Sequence, residues 1–181
     1  MNVQDLRILL YPDPALRRRG EALSEVTDRV RAVAARMIEL MHQAEGIGLA
    51  APQVGMPWRL FVVDLPEDET RSAVADPPTA TKGPLVCINP TLADAEGPPE
   101  PCEEGCLSLP DIRGDVIRAP IITLNATDPD GKPFTLRAGG LLSRCFQHEY
   151  DHLDGVLIID KMTQMSRMKN RAAIRAMGSE L

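Results

Sequence analysis

Residues 147–152 read Gln147-His148-Glu149-Tyr150-Asp151-His152. On a helix, His148 and His152 lie one turn apart on one face, where two imidazoles can grip one metal ion. Glu149, beside the first imidazole, stands where a hydrolase needs a base. A catalytic metal of this kind takes a third protein ligand and keeps one position open, whereas a structural site closes its shell with a fourth. His42 is the only other histidine, so a third imidazole downstream is excluded. Glu180, near the chain end, is the only glutamate after Glu149. Asp154 and Asp160 fall just past the helix, where the chain turns away. An upstream thiolate is the strongest ligand left. Cys145, on the same helix, reads as a small residue packed beside the site, and Cys87 as strand core. Cys102 and Cys106 remain, both in PCEEGCLSLP (101–110).

Two arrangements compete. Cys102 and Cys106 together with His148 and His152 make a closed zinc site, the mark of a structural or binding module. Cys106 alone with the two histidines leaves a position for water. A closed site has no use for a glutamate directly after its first histidine, but a hydrolase does. The chain between the two pairs is also much longer than a finger loop, and Gly105 lets backbone approach a metal closely. These features favour the open site.

The ligands need elements to carry them. A helix is expected from Gly139 or Gly140 to His152, with Gly155 beyond its end. Leu141, Cys145, His148 and His152 follow at steps of 4, 3 and 4, so the histidines share the inward, apolar face. The clearest helix spans 27–46, with Val30, Val33, Ala34, Met37, Ile38 and Met41 on one stripe and Gly46 as a stop. RLFVVDL (59–65) and LVCINPTL (85–92, interrupted by Pro90) read as strands. VIRAPIITLNATD and KPFTLRA flank the turn residues PDG as a hairpin. VLIID (156–160) reads as a short strand, and a basic helix closes the chain. Residues 66–84, rich in Pro and acidic residues, read as a long mobile loop. The class is α+β, with antiparallel or mixed sheets around the helix that carries His148 and His152.

At 181 residues, 44% of them hydrophobic and 25% charged, the chain is expected to form a single globular domain over 1–181. A formal charge of −6 argues against DNA as a partner, and no run approaches membrane-spanning length. The opening MNVQDLRILL lacks a basic flank and a long apolar run, so it does not read as a signal peptide. Four cysteines without an export signal suggest the reducing cytoplasm.

Three stretches together resemble the peptide deformylases. Gly46-Ile47-Gly48-Leu49-Ala50-Ala51-Pro52-Gln53 is similar to the family's first motif, Glu104-Gly105-Cys106-Leu107-Ser108 to its second, and Gln147 to His152 to its third. YPDPALR (11–17) is similar to the family's opening. The resemblance implies Cys106, His148 and His152 as ligands of one divalent metal. Fe(II) is the family's usual metal, and Zn(II), Ni(II) and Co(II) also suit these donors. It implies hydrolysis of the N-formyl group from the initiator methionine of nascent polypeptides, releasing formate. Glu149 would move the proton. Gln53, through its amide, and Leu107, through its backbone N–H, would face the oxyanion; without the motif, Gln53 reads as a solvated loop residue.

Ile47, Leu141 and Cys145 are fitting walls for a methionine side chain, or else ordinary core. The peptide would pair as an added strand near Ile47, Gly48 and Gly105. Glu104 and Arg113 are candidates for orienting the site and the peptide's far end, with an exposed ion pair as the alternative for Arg113. Asp151 is expected to brace a ligand or the loop rather than bind metal, Tyr150 to pack, and His42 to be structural or solvated. Arg167, Arg171 and Arg175, four apart on the last helix, could touch ribosomal RNA phosphate, or be only a solvated face. Compared with familiar bacterial members, loop 66–84 is long and this helix short.

Overall fold

The computed structural model describes residues 2–178. Helix α1 (Asp28–Gln43) begins where the Thr27 side chain accepts a hydrogen bond from Val30 N, the N-cap arrangement that satisfies an otherwise unpaired helix donor. It stops three residues before the expected end. Glu45, with φ 54°, takes the left-handed turn, and Gly46 N closes it onto Met41 O.

Five strands form one antiparallel sheet in the order β1 (Gly48–Ala50), β2 (Leu60–Val63), β3 (Leu85–Glu96), β6 (Ile121–Thr127) and β7 (Pro133–Gly139). Between β3 and β6 in the chain lies a separate two-stranded hairpin, β4 (Glu100–Cys106) and β5 (Leu109–Arg118). The sheet is covered on both faces. Leu60 and Val62 of β2 pack with Val33, Met37 and Met41 of α1. Phe61 and Val63 pack the other way, with Leu142, Cys145 and Phe146 of α2 (Gly140–Leu153). That double burial is why the run Leu60–Val63 is apolar at every position instead of alternating.

The expected arm VIRAPIITLNATD is divided by the structure. Val116, Ile117 and Arg118 end β5 in the small hairpin, and Ile121 begins β6 in the main sheet. Ala119-Pro120 is the corner, where proline has no N–H to give to a ladder. Pro90 does not end β3 either. A bulge absorbs it: Asn89 takes φ 49°, and its side-chain amide bonds both the N–H and the C=O of Leu23.

VLIID is not a strand. Ile158–Lys161 form one helical turn, α3, because Asp160 accepts from Leu157 N and caps it, while Leu157, Ile158 and Ile159 all enter a third core with Leu16, Leu109 and Ile112. Helix α4 (Gln164–Gly178) follows. Residues 66–84 contain no helix or strand, as expected, yet they are fastened. Thr81 bonds Leu65 through backbone and hydroxyl, Thr79 N reaches Ser72 O, and Gly139 N reaches Pro78 O. No helix among the described residues is long and apolar enough to cross a membrane.

Candidate active site

Helix α2 presents His148 and His152 on one face, with ring Nε2 atoms 3.2 Å apart. Strand β4 brings the thiol. Its ladder with β5 runs regularly to Gly105↔Arg113 and then jumps to Cys106↔Leu109, a bulge that turns Cys106 out of the strand's alternation. Cys106 Sγ lies 3.3 Å from His152 Nε2, and the three donor atoms lie within 4.8 Å of one another. A metal with bonds of about 2.0–2.1 Å to nitrogen and tetrahedral angles separates two ring nitrogens by roughly 3.3 Å, so the donor set fits a divalent ion. Cys102, exposed and paired with Val116 farther down the strand, is not in the cluster, and the closed four-ligand site is ruled out. Cys145 is not a ligand either. Burial first, then the nearby Glu149 charge, raises its thiol well above the usual range.

Glu149 is 3% exposed, and its Oε2 has no hydrogen-bond partner. Burial pushes its carboxyl up to about 7, against the pull of His148 and Arg118. Space for it comes from β1: a Cβ on Gly48 would stand 2.4 Å from Glu149 Oε1 and 2.9 Å from Cys145 Sγ.

Gln53 is buried, not solvated. It sits in a 3-10 turn over Ala51–Val54, its Oε1 accepts from Ala50 N at 2.8 Å, and its Nε2 donates to Ser108 Oγ at 3.1 Å. The same Nε2 lies 3.6 Å from Cys106 Sγ, so the amide is aimed at the metal cluster. Leu107 lies in the turn between Cys106 and Leu109, its side chain against Gly46.

Behind His148 lies a network whose carboxylates, Glu104 and Asp151, were expected at the site but whose arginines, Arg118 and Arg144, were not. His148 Nδ1 meets Glu104 Oε2 at 3.0 Å, leaving Nε2 for a metal. Glu104 also accepts from Arg118 Nε and Nη2 and from Arg144 Nη1. Burial alone would raise the Glu104 carboxyl, but the hydrogen bonds from His148 and Arg118 outweigh it and bring it down to about 2. Glu104 is thus tied to His148 and to both arginines, with both oxygens engaged and 7% exposure, at the wall of the cavity over the cluster. Asp151 accepts from Arg118 Nη1 at 2.8 Å and reaches His148 only through Arg118 and then Glu104.

A cavity of about 620 Å³ opens over the cluster. It brings together Ile47, Gly48, Gln53, Gly105, Cys106, Leu107, Leu141, Cys145, His148 and Glu149, with Arg113 exposed at its outer part. Leu141 and Cys145 also belong to the second core, so wall and core are one surface there. His152 is buried behind. His42 pairs with Asp64 at the end of α1, and Tyr150 packs under the Arg59 guanidinium. Asp154 and Asp160 are held by Arg59 and Arg17 and take no part in the cluster. Glu180 lies outside the described residues.

The family profile described as Polypeptide deformylase matches residues 5–168. The chain belongs to the peptide deformylase family. It is 46% identical over 176 residues to the peptide deformylase of Opitutus terrae, covering 94% of this chain and 90% of that protein. With the Alkalilimnicola ehrlichii peptide deformylase it shares 43% over 166 residues, covering 92% and 86%. Among solved structures, the Ehrlichia chaffeensis peptide deformylase superposes with a TM-score of 0.85 at 31% identity, over 94% of this chain and 95% of that one. The Synechococcus elongatus peptide deformylase, crystallised with actinonin, gives 0.83 at 39%, over 96% and 88%. The chain is accordingly a metal-dependent hydrolase that removes the N-formyl group from nascent polypeptides, with α+β architecture as expected.

Proposed function

We propose that Cys106, His148 and His152 hold one divalent metal, and that Glu149, Gln53 and Leu107 carry out formyl hydrolysis beside it. The convergence of one thiol and two imidazoles next to the unpartnered oxygen of Glu149 carries this reading. A metal held there supplies Lewis acidity, which makes water a nucleophile near neutral pH and polarises a bound carbonyl oxygen. Glu149 takes the proton of the attacking water and delivers it to the leaving amine as the C–N bond breaks and formate departs. A buried carboxylate with one oxygen free of partners suits both halves of that transfer. Gln53 Nε2 and Leu107 N–H donate to the formyl oxygen as negative charge grows on it.

The formyl group is small, so recognition falls to the methionine after it. Ile47, Leu141 and Cys145 wall its side chain. Backbone at Ile47, Gly48 and Gly105 pairs with the peptide as an added strand, and Arg113 meets its far end. The chain acts as a single domain over 1–181 in the cytoplasm, where formylated chains are made. Fe(II) is the native metal, with Zn(II), Ni(II) or Co(II) able to replace it at one thiolate and two imidazoles. Arg171 and Arg175 of α4 face a groove of about 600 Å³ shared with Tyr11, Arg167 and the Arg17–Asp160 ion pair, a surface with more basic than acidic groups that suits weak contact with ribosomal RNA phosphate.

Anaerobically prepared protein loaded with Fe(II) or Ni(II) and offered formyl-Met-Ala-Ser should release formate. Fully loaded protein that binds the peptide and releases none would be a non-catalytic family member, and the proposal would fail.

A further inference from the structure

Arg144 lies four residues before His148 on α2, one turn back along the same face. It is 7% exposed, on a helix whose other inward residues are mainly apolar. Arginine is almost never buried without partners, and here the guanidinium has three. Nη1 donates to Glu104 Oε1 at 2.9 Å and to Val116 O at 2.8 Å, and Nη2 donates to Glu100 O at 3.0 Å. Glu100 and Glu104 belong to β4, Val116 to β5, and Cys106 stands two residues past Glu104.

The hairpin that carries Cys106 is not part of the five-stranded sheet. A two-stranded hairpin is marginal by itself, so its position relative to α2 must be set by what it touches. Ser143 and Gln147 of α2 bond the backbone of Ala119, just past the end of β5, whereas His148–Glu104 and Arg118–Asp151 are ties of side chain to side chain. Two of the three acceptors of Arg144 are backbone carbonyls, held in place by the ladder pairs Glu100↔Arg118 and Cys102↔Val116. A planar fork with fixed donor directions, bound to carbonyls on both strands, fixes distance and angle together.

We propose that Arg144 is a positioning residue that sets the separation of the β4–β5 hairpin from α2, and so holds Cys106 Sγ at ligand distance from His148 and His152. This rests on the reading of those three residues as the metal site.

Cobalt(II) tests it, because its visible spectrum reports ligand geometry independently of turnover. Arg144→Met should lose cobalt to a chelator roughly tenfold to a hundredfold faster than the parent protein, the usual cost of removing a group that orients ligands. Its visible bands should shift in position and intensity. Arg144→Lys, which can reach one acceptor but has no fork, should fall between the two. For short formyl-peptides kcat should drop more than KM. If Arg144→Met unfolds at a lower temperature while cobalt spectrum and release rate match the parent, Arg144 is only a packing residue and the proposal is overturned. Should Arg144→Met fail to fold, Arg144→Lys decides by the same comparison. A parent protein that binds no cobalt would instead overturn the metal-site reading itself.

Discussion

Glu149 is buried, has one oxygen without a partner, and follows a metal ligand directly in sequence, so its chemistry can be separated from its packing. Glu149→Gln keeps the shape and removes the proton carrier. It should keep its metal while kcat falls by roughly a hundredfold to ten-thousandfold, the usual weight of a general acid–base group. Metal content by atomic absorption alongside formate release checks this, and loss of metal together with activity would make Glu149 structural. Gln53 offers a second residue-scale test. Gln53→Ala should lower kcat by roughly tenfold to a thousandfold, the range for one oxyanion donor, with a smaller change in KM. An unchanged kcat would leave Gln53 as a brace for Ser108 and Ala50.

At the scale of elements, the site depends on how closely β1 approaches α2. Gly48 has no side chain because Glu149 occupies that space, with a Cβ there falling 2.4 Å from the carboxylate. Gly48→Ala should therefore displace Glu149 by a fraction of an ångström to an ångström without touching a ligand. We expect kcat to fall by on the order of a hundredfold, as for other small misplacements of reacting groups. Metal content and circular dichroism should stay those of the parent. Equal loss of metal and activity would mean that the strand, and not the carboxylate, had moved.

At the scale of the whole molecule, Glu104 couples the site to acid stability. Its folded carboxyl sits at about 2 against an ordinary 4.5, which corresponds to about 3 kcal/mol of folding stability. Because the folded value is the lower one, that contribution is present above pH 4.5 and is lost as pH falls towards 2. Metal-free protein followed by urea unfolding should lose stability across this window, and Glu104→Gln should flatten the acid limb. An equal slope in both would assign the acid limb to other carboxylates. The α4 surface is tested by charge, since truncation would expose core: Ser166 bonds Asp115, and Ile174 and Met177 pack against the third core. Arg171→Gln with Arg175→Gln should weaken co-sedimentation with ribosomes at low salt and leave short-peptide hydrolysis intact. Unchanged co-sedimentation would sink the docking proposal.

The spacing of His148 and His152, the base between them and the face they share were legible in the sequence because a helix repeats every 3.6 residues and ties i to i+4 locally. The pairing of β6 with β7 around the PDG turn and the apolar run of β2 were legible from turn residues and strand composition, which are also local. Local features favoured Cys106 over Cys102, but the physical cause is tertiary, since the β-bulge that turns one thiol inward depends on pairing with β5. The run 156–160 reads as a strand because it is β-branched, but a local cap, Asp160 on Leu157 N, and burial in the third core, which is tertiary, override that preference. Arg118 and Arg144 carried no local signal at all. Their carboxylate lies 14 and 40 residues away in the chain, and only burial against it distinguishes these two arginines from solvated ones. Tertiary structure alone decided which charges face inward, because the cost of burying an ion is set by partners that the intervening chain must first bring together.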